Sequence, residues 1–383
     1  MPSSVDQGKD AERMRRFPVL RFADAGRFRY SDADRELFDR FLKDFVPPNS
    51  FDAHAHLYDL RHLATNATAD DFAGSPEIDH SRLVGDMSQW MGDRVVRDGL
   101  YFPFPMRHLD ASLCRQANAF LAKSLADSPS SRGLMLIRPN DDPADIEAQL
   151  SQHGFAGFKV YHVFAERTDT FFAEQGEFLP EWAWEIADRS GLAIMMHMVL
   201  PKALADPRNQ EYIRSHCLRF PNARLILAHA ARGFNARHTV DSIATLRGIE
   251  NVYCDTSAIC EPAAFEAIMQ TLGVHRLLYG SDYPVSELRG RALSAGDGFF
   301  WLYEHNAEWN GWLHAKPELI GIESLLALQQ ACRTLKLNDA DVERVFGGNA
   351  RRLLGLVHRV GERVQRLYKA AKRIMPGGTQ LFL

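Results

Sequence analysis

Phe51-Asp52-Ala53-His54-Ala55-His56 is the stretch on which the reading of this chain turns. A short apolar run carrying histidines two residues apart reads as a strand, because side chains alternate across a strand with period two. His54 and His56 then share one face, and Ala53 and Ala55 the other. Two imidazoles fixed side by side make half of a transition-metal site, since neutral imidazole suits Zn, Fe, Ni and Cu. Alone, such a pair is more often an ordinary hydrogen-bonded or surface pair, so the other half must come from elsewhere in the chain.

Outward from this stretch a rhythm runs through the sequence. Short apolar segments recur at 51–56, 100–103, 133–138, 155–161, 192–198, 224–229, 251–256 and 276–281. Helical patterns lie between them at 111–126, 143–152, 179–190, 207–220, 236–247 and 261–272. Continuous apolar runs without alternation belong to parallel strands covered on both faces. Eight such strands alternating with helices over about 250 residues predict a (β/α)8 TIM barrel. A doubly wound open sheet is the rival, but no Gly-rich phosphate loop follows an early strand.

The flanks read differently. Residues 1–49 form an N-terminal extension whose helical pattern through Leu37, Phe38, Phe41, Leu42 and Phe45 ends at Pro47-Pro48. Residues 50–357 are the barrel, and 358–383 a C-terminal helical tail, basic and amphipathic, suited to packing or assembly. Three stretches, 57–91, 163–176 and 283–317, are too long to be plain connections. All follow strands, so in a barrel they rise from the face where active sites sit. The third contains Gly298-Phe299-Phe300-Trp301-Leu302-Tyr303, an aromatic cluster able to roof a pocket or to pack as a small subdomain of its own.

Composition narrows the class. The chain has 383 residues, 46% hydrophobic and 25% charged, with a net charge of −4, as expected of a globular protein with no nucleic-acid surface. No apolar run approaches the roughly 20 residues of a membrane helix. The start, Met1-Pro2-Ser3-Ser4-Val5-Asp6-Gln7, lacks the layout of a secretory signal. Cys114, Cys217, Cys254, Cys260 and Cys332 show no CxxC spacing and read as buried thiols of a reduced, cytoplasmic protein.

The ends of the strands carry the chemistry. The first gives His54 and His56, the fourth Lys159, the fifth His197, the sixth His229 and the eighth Asp282. Each has a bland alternative: His197 as a hydrogen-bonded core residue, Lys159 as an ion-pair partner, Asp282 as a turn residue or helix cap. In a barrel these ends converge on one mouth, and one metal site accounts for all of them together.

The order HxH, Lys, His, His, Asp resembles that of the amidohydrolase superfamily. The wording of Phe51–His56, of Gly280-Ser281-Asp282-Tyr283-Pro284, and of Gly347-Gly348-Asn349-Ala350-Arg351-Arg352-Leu353-Leu354-Gly355-Leu356 resembles its amidohydrolase-2 branch, over residues 50 to 357. The resemblance implies that His54, His56, His197 and Asp282 hold a divalent metal, with one Zn as the expectation. Lys159 matches a position where some relatives carry a carboxylated lysine bridging two metals, and His229 a position that binds a second metal or acts on substrate. Such a metal lowers the pKa of water; Asp282 then serves as general acid–base and His229 polarises the carbonyl. Arg107 and Arg232 are candidates to clamp a substrate carboxylate, or plain solvent-facing arginines.

The expected function is hydrolysis of an amide, lactone, ester or C–C bond in a small, carboxylate-bearing molecule. Non-oxidative decarboxylation of an aromatic or unsaturated acid is the alternative, and Lys159 favours hydrolysis. A barrel that binds a ligand or a structural metal without turnover is a third reading, but a structural site closes its coordination sphere and has no use for Lys159 and His229 beside it. The expected partner is a small molecule, with neither nucleic acid nor membrane, and the branch resembled leaves room for a homodimer.

Overall fold

The computed structural model describes residues 28–62, 76–106, 109–311 and 315–356, so Arg107 and the expected C-terminal tail lie outside the described residues. The chain folds as an α/β protein with parallel core strands and helical crossovers. The core strands are β1 (Phe51–Asp59), β3 (Asp98–Pro103), β4 (Arg132–Gly133), β5 (Met135–Leu136), β6 (Gly157–Tyr161), β7 (Ala193–His197), β8 (Arg224–Leu227), β9 (Val252–Asp255) and β10 (Leu277–Leu278). The short β2 (Glu77–Ile78) runs antiparallel to β1. β4 and β5 are two halves of one expected strand, interrupted at Leu134. The other strands fall where the apolar runs place them, and β1 outlasts His56 by three residues.

One sheet has the order β2-β1-β3-β4 and the other β10-β9-β8-β7-β6-β5. Backbone hydrogen bonds also join β1 to the segment after β10. Ala53 N donates to Tyr279 O at 2.7 Å, Asp282 N to His54 O at 2.7 Å and His56 N to Tyr283 O at 2.8 Å. The apolar interior divides in two. A small cluster takes Phe51, Leu100, Leu134, Met195, Ile226 and Leu278 from successive strands, with Ala350 and Leu353 at one end. A larger cluster lies between strands and helices, where Trp90, Trp184 and Phe265 are fully buried. Removing such side chains from water is what holds the layers together, at about 25 cal/mol per Å² of apolar surface.

Helices start where the sequence caps them. Asp110, Asp142 and Asp206 each accept a backbone N–H of the first turn, and Pro143 and Pro207 stand at first helical positions. The crossover expected at 236–247 shortens to a helix over Ala236–Ser242 and a 3-10 turn over Ile243–Leu246. In the N-terminal extension the helix is Asp32–Phe41, and Phe38 packs edge-on to Trp90. Of the long stretches, the first holds the helix His80–Met91, and the third folds into a hairpin of β11 (Gly290–Ala295) and β12 (Gly298–Tyr303). Among the described residues no helix is long and apolar enough to cross a membrane.

Candidate metal centre

β1 places His54 and His56 side by side, and the turn after β10 brings Asp282 against both. His54 Nε2 lies 3.2 Å and His56 Nε2 3.6 Å from the same oxygen, Asp282 Oδ1. The approach needs Gly280, because a Cβ there would come within 2.7 Å of the His54 Cβ. The ligand-bearing atoms of His54, His229 and Asp282 all lie within 4.8 Å of one another, a spacing that suits a metal ion. All three side chains are buried.

Hydrogen bonds decide which nitrogen of each ring is bare. A carboxylate or carbonyl oxygen only accepts, so the ring nitrogen facing it carries the proton. His54 Nδ1 donates to Asp255 Oδ2 at 2.8 Å, and His56 Nδ1 to Pro103 O at 3.3 Å. In the neutral rings each Nε2 then keeps its lone pair on the side of Asp282, where a cation lodged between them would take it, and His54 Nε2 is buried without a hydrogen-bond partner among the described residues. His229 Nδ1 faces Ser257 O at 3.1 Å and Ser257 Oγ at 2.9 Å. Its Nε2 then accepts from His197 Nδ1 at 3.1 Å, which leaves His197 Nε2 bare. His197 thus joins the group through its hydrogen bond to His229.

His229 and Arg232 sit on an unusual piece of backbone. His229, Ala230, Ala231 and Arg232 have φ of 57°, 51°, 61° and 57°, one turn of left-handed helix closed by Gly233 N donating to His229 O at 2.6 Å. Left-handed geometry costs an L-residue roughly 1–2 kcal/mol. It persists because its surroundings over-determine it: His229 N donates to Asp255 Oδ1 at 2.8 Å and Thr239 Oγ1 to Ala230 O at 2.9 Å. Three residues apart on this turn, His229 and Arg232 are presented together. The half-buried Arg232 guanidinium spends one N–H on Leu200 O at 2.7 Å.

Lys159 is fully buried with no hydrogen-bond partner for Nζ, which lies 4.5 Å over the Phe102 ring and 5.8 Å from that of Tyr161. Burial pushes its ammonium down to about 8, against the pull of Asp255 and Asp282. Burial and Lys159 both depress the His54 imidazolium, but Asp255 and Asp282 outweigh them and raise it above the ordinary value. Burial lowers His56 and His229 to about 4 each, and carries His197 well below the histidine range. Burial would raise Asp282, yet His229, His54 and His56 hold it well below the carboxylate range. The centre therefore sets His56, His197 and His229, held neutral by burial, and His54, held by Asp255 and Asp282, around ionised carboxylates, the donor types a divalent cation takes.

Sequence reasoning missed three members of this network. Asp255, at the end of β9, is held down to about 2 by His54 and His229 against the opposing effect of burial. It belongs to the same row of strand-end polar residues as the others, and that position was the signal. Ser257 donates to Asp255 Oδ1 at 2.5 Å and bridges towards both His54 and His229. Asp52 accepts from His54 N at 3.0 Å and Ser281 N at 2.9 Å, tying β1 to the segment after β10.

An amidohydrolase family model matches residues 51–356. The L-fucono-1,5-lactonase of Burkholderia ambifaria is 26% identical over 173 residues, 41% of this chain and 50% of that protein. The chain thus spans about half the length of this curated relative, 50%. An amidohydrolase of Burkholderia multivorans solved with bound zinc superposes with a TM-score of 0.51 at 15% identity, covering 80% of this chain and 99% of that one. A protein of Acinetobacter baumannii described as a 2-pyrone-4,6-dicarboxylic acid hydrolase, solved with citric acid, gives 0.52 at 13% identity over the same shares, 80% and 99%. At such identities the likeness of the structures is one of fold.

Proposed function

The chain belongs to the amidohydrolase family and is an enzyme of that type, and from this premise we propose that it is a metal-dependent hydrolase of an amide, lactone, ester or C–C bond in a small, carboxylate-bearing molecule. The observation that carries the reading is the pair of bare Nε2 atoms of His54 and His56 meeting one oxygen of Asp282. The hydrogen bonds from β1 to Tyr279, Asp282 and Tyr283 support a closed (β/α)8 barrel, with residues 50–357 as one catalytic unit.

His54, His56, His197 and Asp282 are the residues that would hold the ion, and zinc fits three imidazoles and a carboxylate. When bound, a divalent metal supplies a Lewis acid and a lowered pKa for water. Asp282 is the general acid–base: Oδ1 faces His54 and His56, and Oδ2 takes the proton of the attacking water and returns it to the leaving group. His229 fixes the tautomer of His197. It polarises the carbonyl only as the protonated ring, which burial opposes. Arg232 keeps unused N–H donors on a guanidinium beside the site, the geometry that grips a carboxylate. Lys159, an amine neutral in part near physiological pH, is open to carboxylation by CO2, and the modified side chain would bridge a second ion.

Metal analysis of protein purified without added metal tests this: about one or two equivalents of Zn, Mn or Fe are expected of such a site. A value near zero with no activation on reconstitution overturns it. His197→Ala is expected to lose the metal, and full retention removes His197 from the ligand set. Intact-mass measurement reads whether Lys159 carries one added CO2. Following CO2 against carboxylic-acid product over lactones, amides and hydroxybenzoates separates hydrolysis from decarboxylation, the reaction the same residues would otherwise serve.

A further inference from the structure

Asp282, the carboxylate that meets both histidines of β1, stands on strained backbone. Its φ is 62°, in the left-handed region that residues with a side chain seldom occupy. A residue keeps such a conformation only where its surroundings over-determine it. On the inner side β1 does this. Asp282 N donates to His54 O at 2.7 Å and His56 N to Tyr283 O at 2.8 Å, while Val285 N closes a turn on Asp282 O at 2.6 Å.

The outer side of the same segment is covered by the N-terminal extension, from residues that precede the family match at 51–356. Three points are fastened. The fully buried Tyr283 ring receives the Phe28 ring edge-on at 5.8 Å, and its hydroxyl donates to Asp86 Oδ2 at 2.8 Å. Glu287 accepts from the Tyr30 hydroxyl at 2.8 Å and from the Trp90 indole at 3.0 Å, and Phe38 of the extension packs against that indole. Arg289 donates to Asp34 Oδ1 at 2.9 Å and to the Arg29 carbonyl at 3.0 Å. Ser31 and Asp34 form a reciprocal capping box that opens the helix Asp32–Phe41, which fixes Asp34 where Arg289 reaches it. Burial would raise the Asp34 carboxyl, yet hydrogen bonds from Arg289 and Ser31 hold it below its ordinary value, so this buried contact is an ion pair.

We propose that residues 28–34 form a strap that positions Asp282, holding the outer side of the segment 283–289 so that the left-handed ligand backbone keeps its place and the centre its affinity for metal. Phe28 and Tyr30 are positioning residues, acting through Tyr283 and Glu287. The proposal rests on the reading of Asp282 as a metal ligand, and it extends the working site to a part of the chain outside residues 51–356. An extension that only buries surface adds stability and leaves the folded centre as it is. A strap that holds a strained ligand changes the centre too, because the strain is released as soon as one side lets go.

The test measures zinc affinity of the full chain by competition with a chromogenic chelator, well below the Tm of each variant, beside the Tm of the metal-free protein. Phe28→Ala and Tyr30→Phe are expected to weaken zinc binding by about threefold to tenfold, at or below the loss seen for partners that touch ligands directly. Phe28→Leu, which refills most of the space, is expected to restore part of the affinity. Ile213→Val, buried on the helix Pro207–Arg219 away from the segment, is expected to lower Tm and leave zinc affinity unchanged. If Phe28→Ala does not accumulate, Phe28→Leu and Tyr30→Phe carry the comparison. Unchanged affinity in the strap variants, or an equal loss in Ile213→Val, overturns the strap alone. A parent protein with no affinity for zinc defeats the reading of the metal centre, and the strap with it.

Discussion

Asp255 shows how much of the site rests on residues standing behind the candidate ligands. It accepts hydrogen bonds from His54 Nδ1 and from the backbone N–H of His229, so one carboxylate sets the tautomer of a proposed ligand and the start of a strained turn. Carboxylates behind ligand histidines raise ligand basicity and fix ring orientation. Asp255→Asn keeps the shape and removes the charge. It is expected to weaken metal binding by about 10–100-fold, read by competition with a chromogenic chelator. A variant binding as tightly as the parent would show that Asp255 only fills space. At Arg232 the expectation concerns substrate instead. Arg232→Ala removes a charge-assisted contact of about 1.5–3 kcal/mol, so KM for a carboxylate-bearing substrate rises about tenfold to a hundredfold. KM for the corresponding neutral amide should stay nearly constant, and equal losses for the two would count against a carboxylate clamp.

At the scale of the element, strand contacts set the spacing of the ligands. His54 stays on β1 in its present rotamer because Gly280 on the neighbouring segment has no side chain. Gly280→Ala puts a methyl 2.7 Å from the His54 Cβ, and the expected outcome is a folded protein, by circular dichroism, with reduced metal content. Full metal occupancy in that variant would mean the two segments part without disturbing the ligands. Gly157 is different in kind. Its φ is +149° and an added Cβ would fall 1.8 Å from the Ala193 carbonyl oxygen, backbone that cannot turn aside. Gly157→Ala therefore breaks the β6–β7 pairing itself, and a large drop in Tm or failure to accumulate is expected, with an unchanged Tm as the contrary result.

Across the whole molecule, the N-terminal extension and the insertion after β10 are joined at Glu287. This buried carboxyl receives the Tyr30 hydroxyl at 2.8 Å, the Trp90 indole N–H at 3.0 Å and the Ser286 hydroxyl at 2.8 Å. Burial raises its pKa from 4.5 to about 7. The folded chain thus holds a proton that the unfolded chain has lost between those values. Glu287 favours the folded state fully below pH 4.5 and progressively less up to about pH 7, a change of roughly 3 kcal/mol. Glu287→Gln does not titrate, so its stability relative to the parent is expected to rise across that window, measured by urea unfolding at several pH values. A difference independent of pH would place the proton elsewhere. Metal removal acts on the same scale: a ligand at 1,000 times its Kd adds about 4 kcal/mol, so chelation should lower Tm and readdition restore it.

The positions of the strands, most of the crossover helices and the polar residues His54, His56, Lys159, His197, His229 and Asp282 were legible in the sequence, because in apolar runs buried on both faces a polar residue within or just after a strand stands out. Asp255 had the same position but sat in Val252-Tyr253-Cys254-Asp255-Thr256-Ser257, where an acidic residue before two hydroxyls also suits an ordinary turn. Which ring nitrogen is bare, that His197 is reached through His229, and that the aromatic run of β12 faces the centre were decided only by the tertiary structure. Each depends on partners far apart in the sequence, as Asp255 is from His54 or Phe299 from Phe234. Local pattern determines which residues are polar at a strand end; the partner that takes each proton is set by the packing of one element against another.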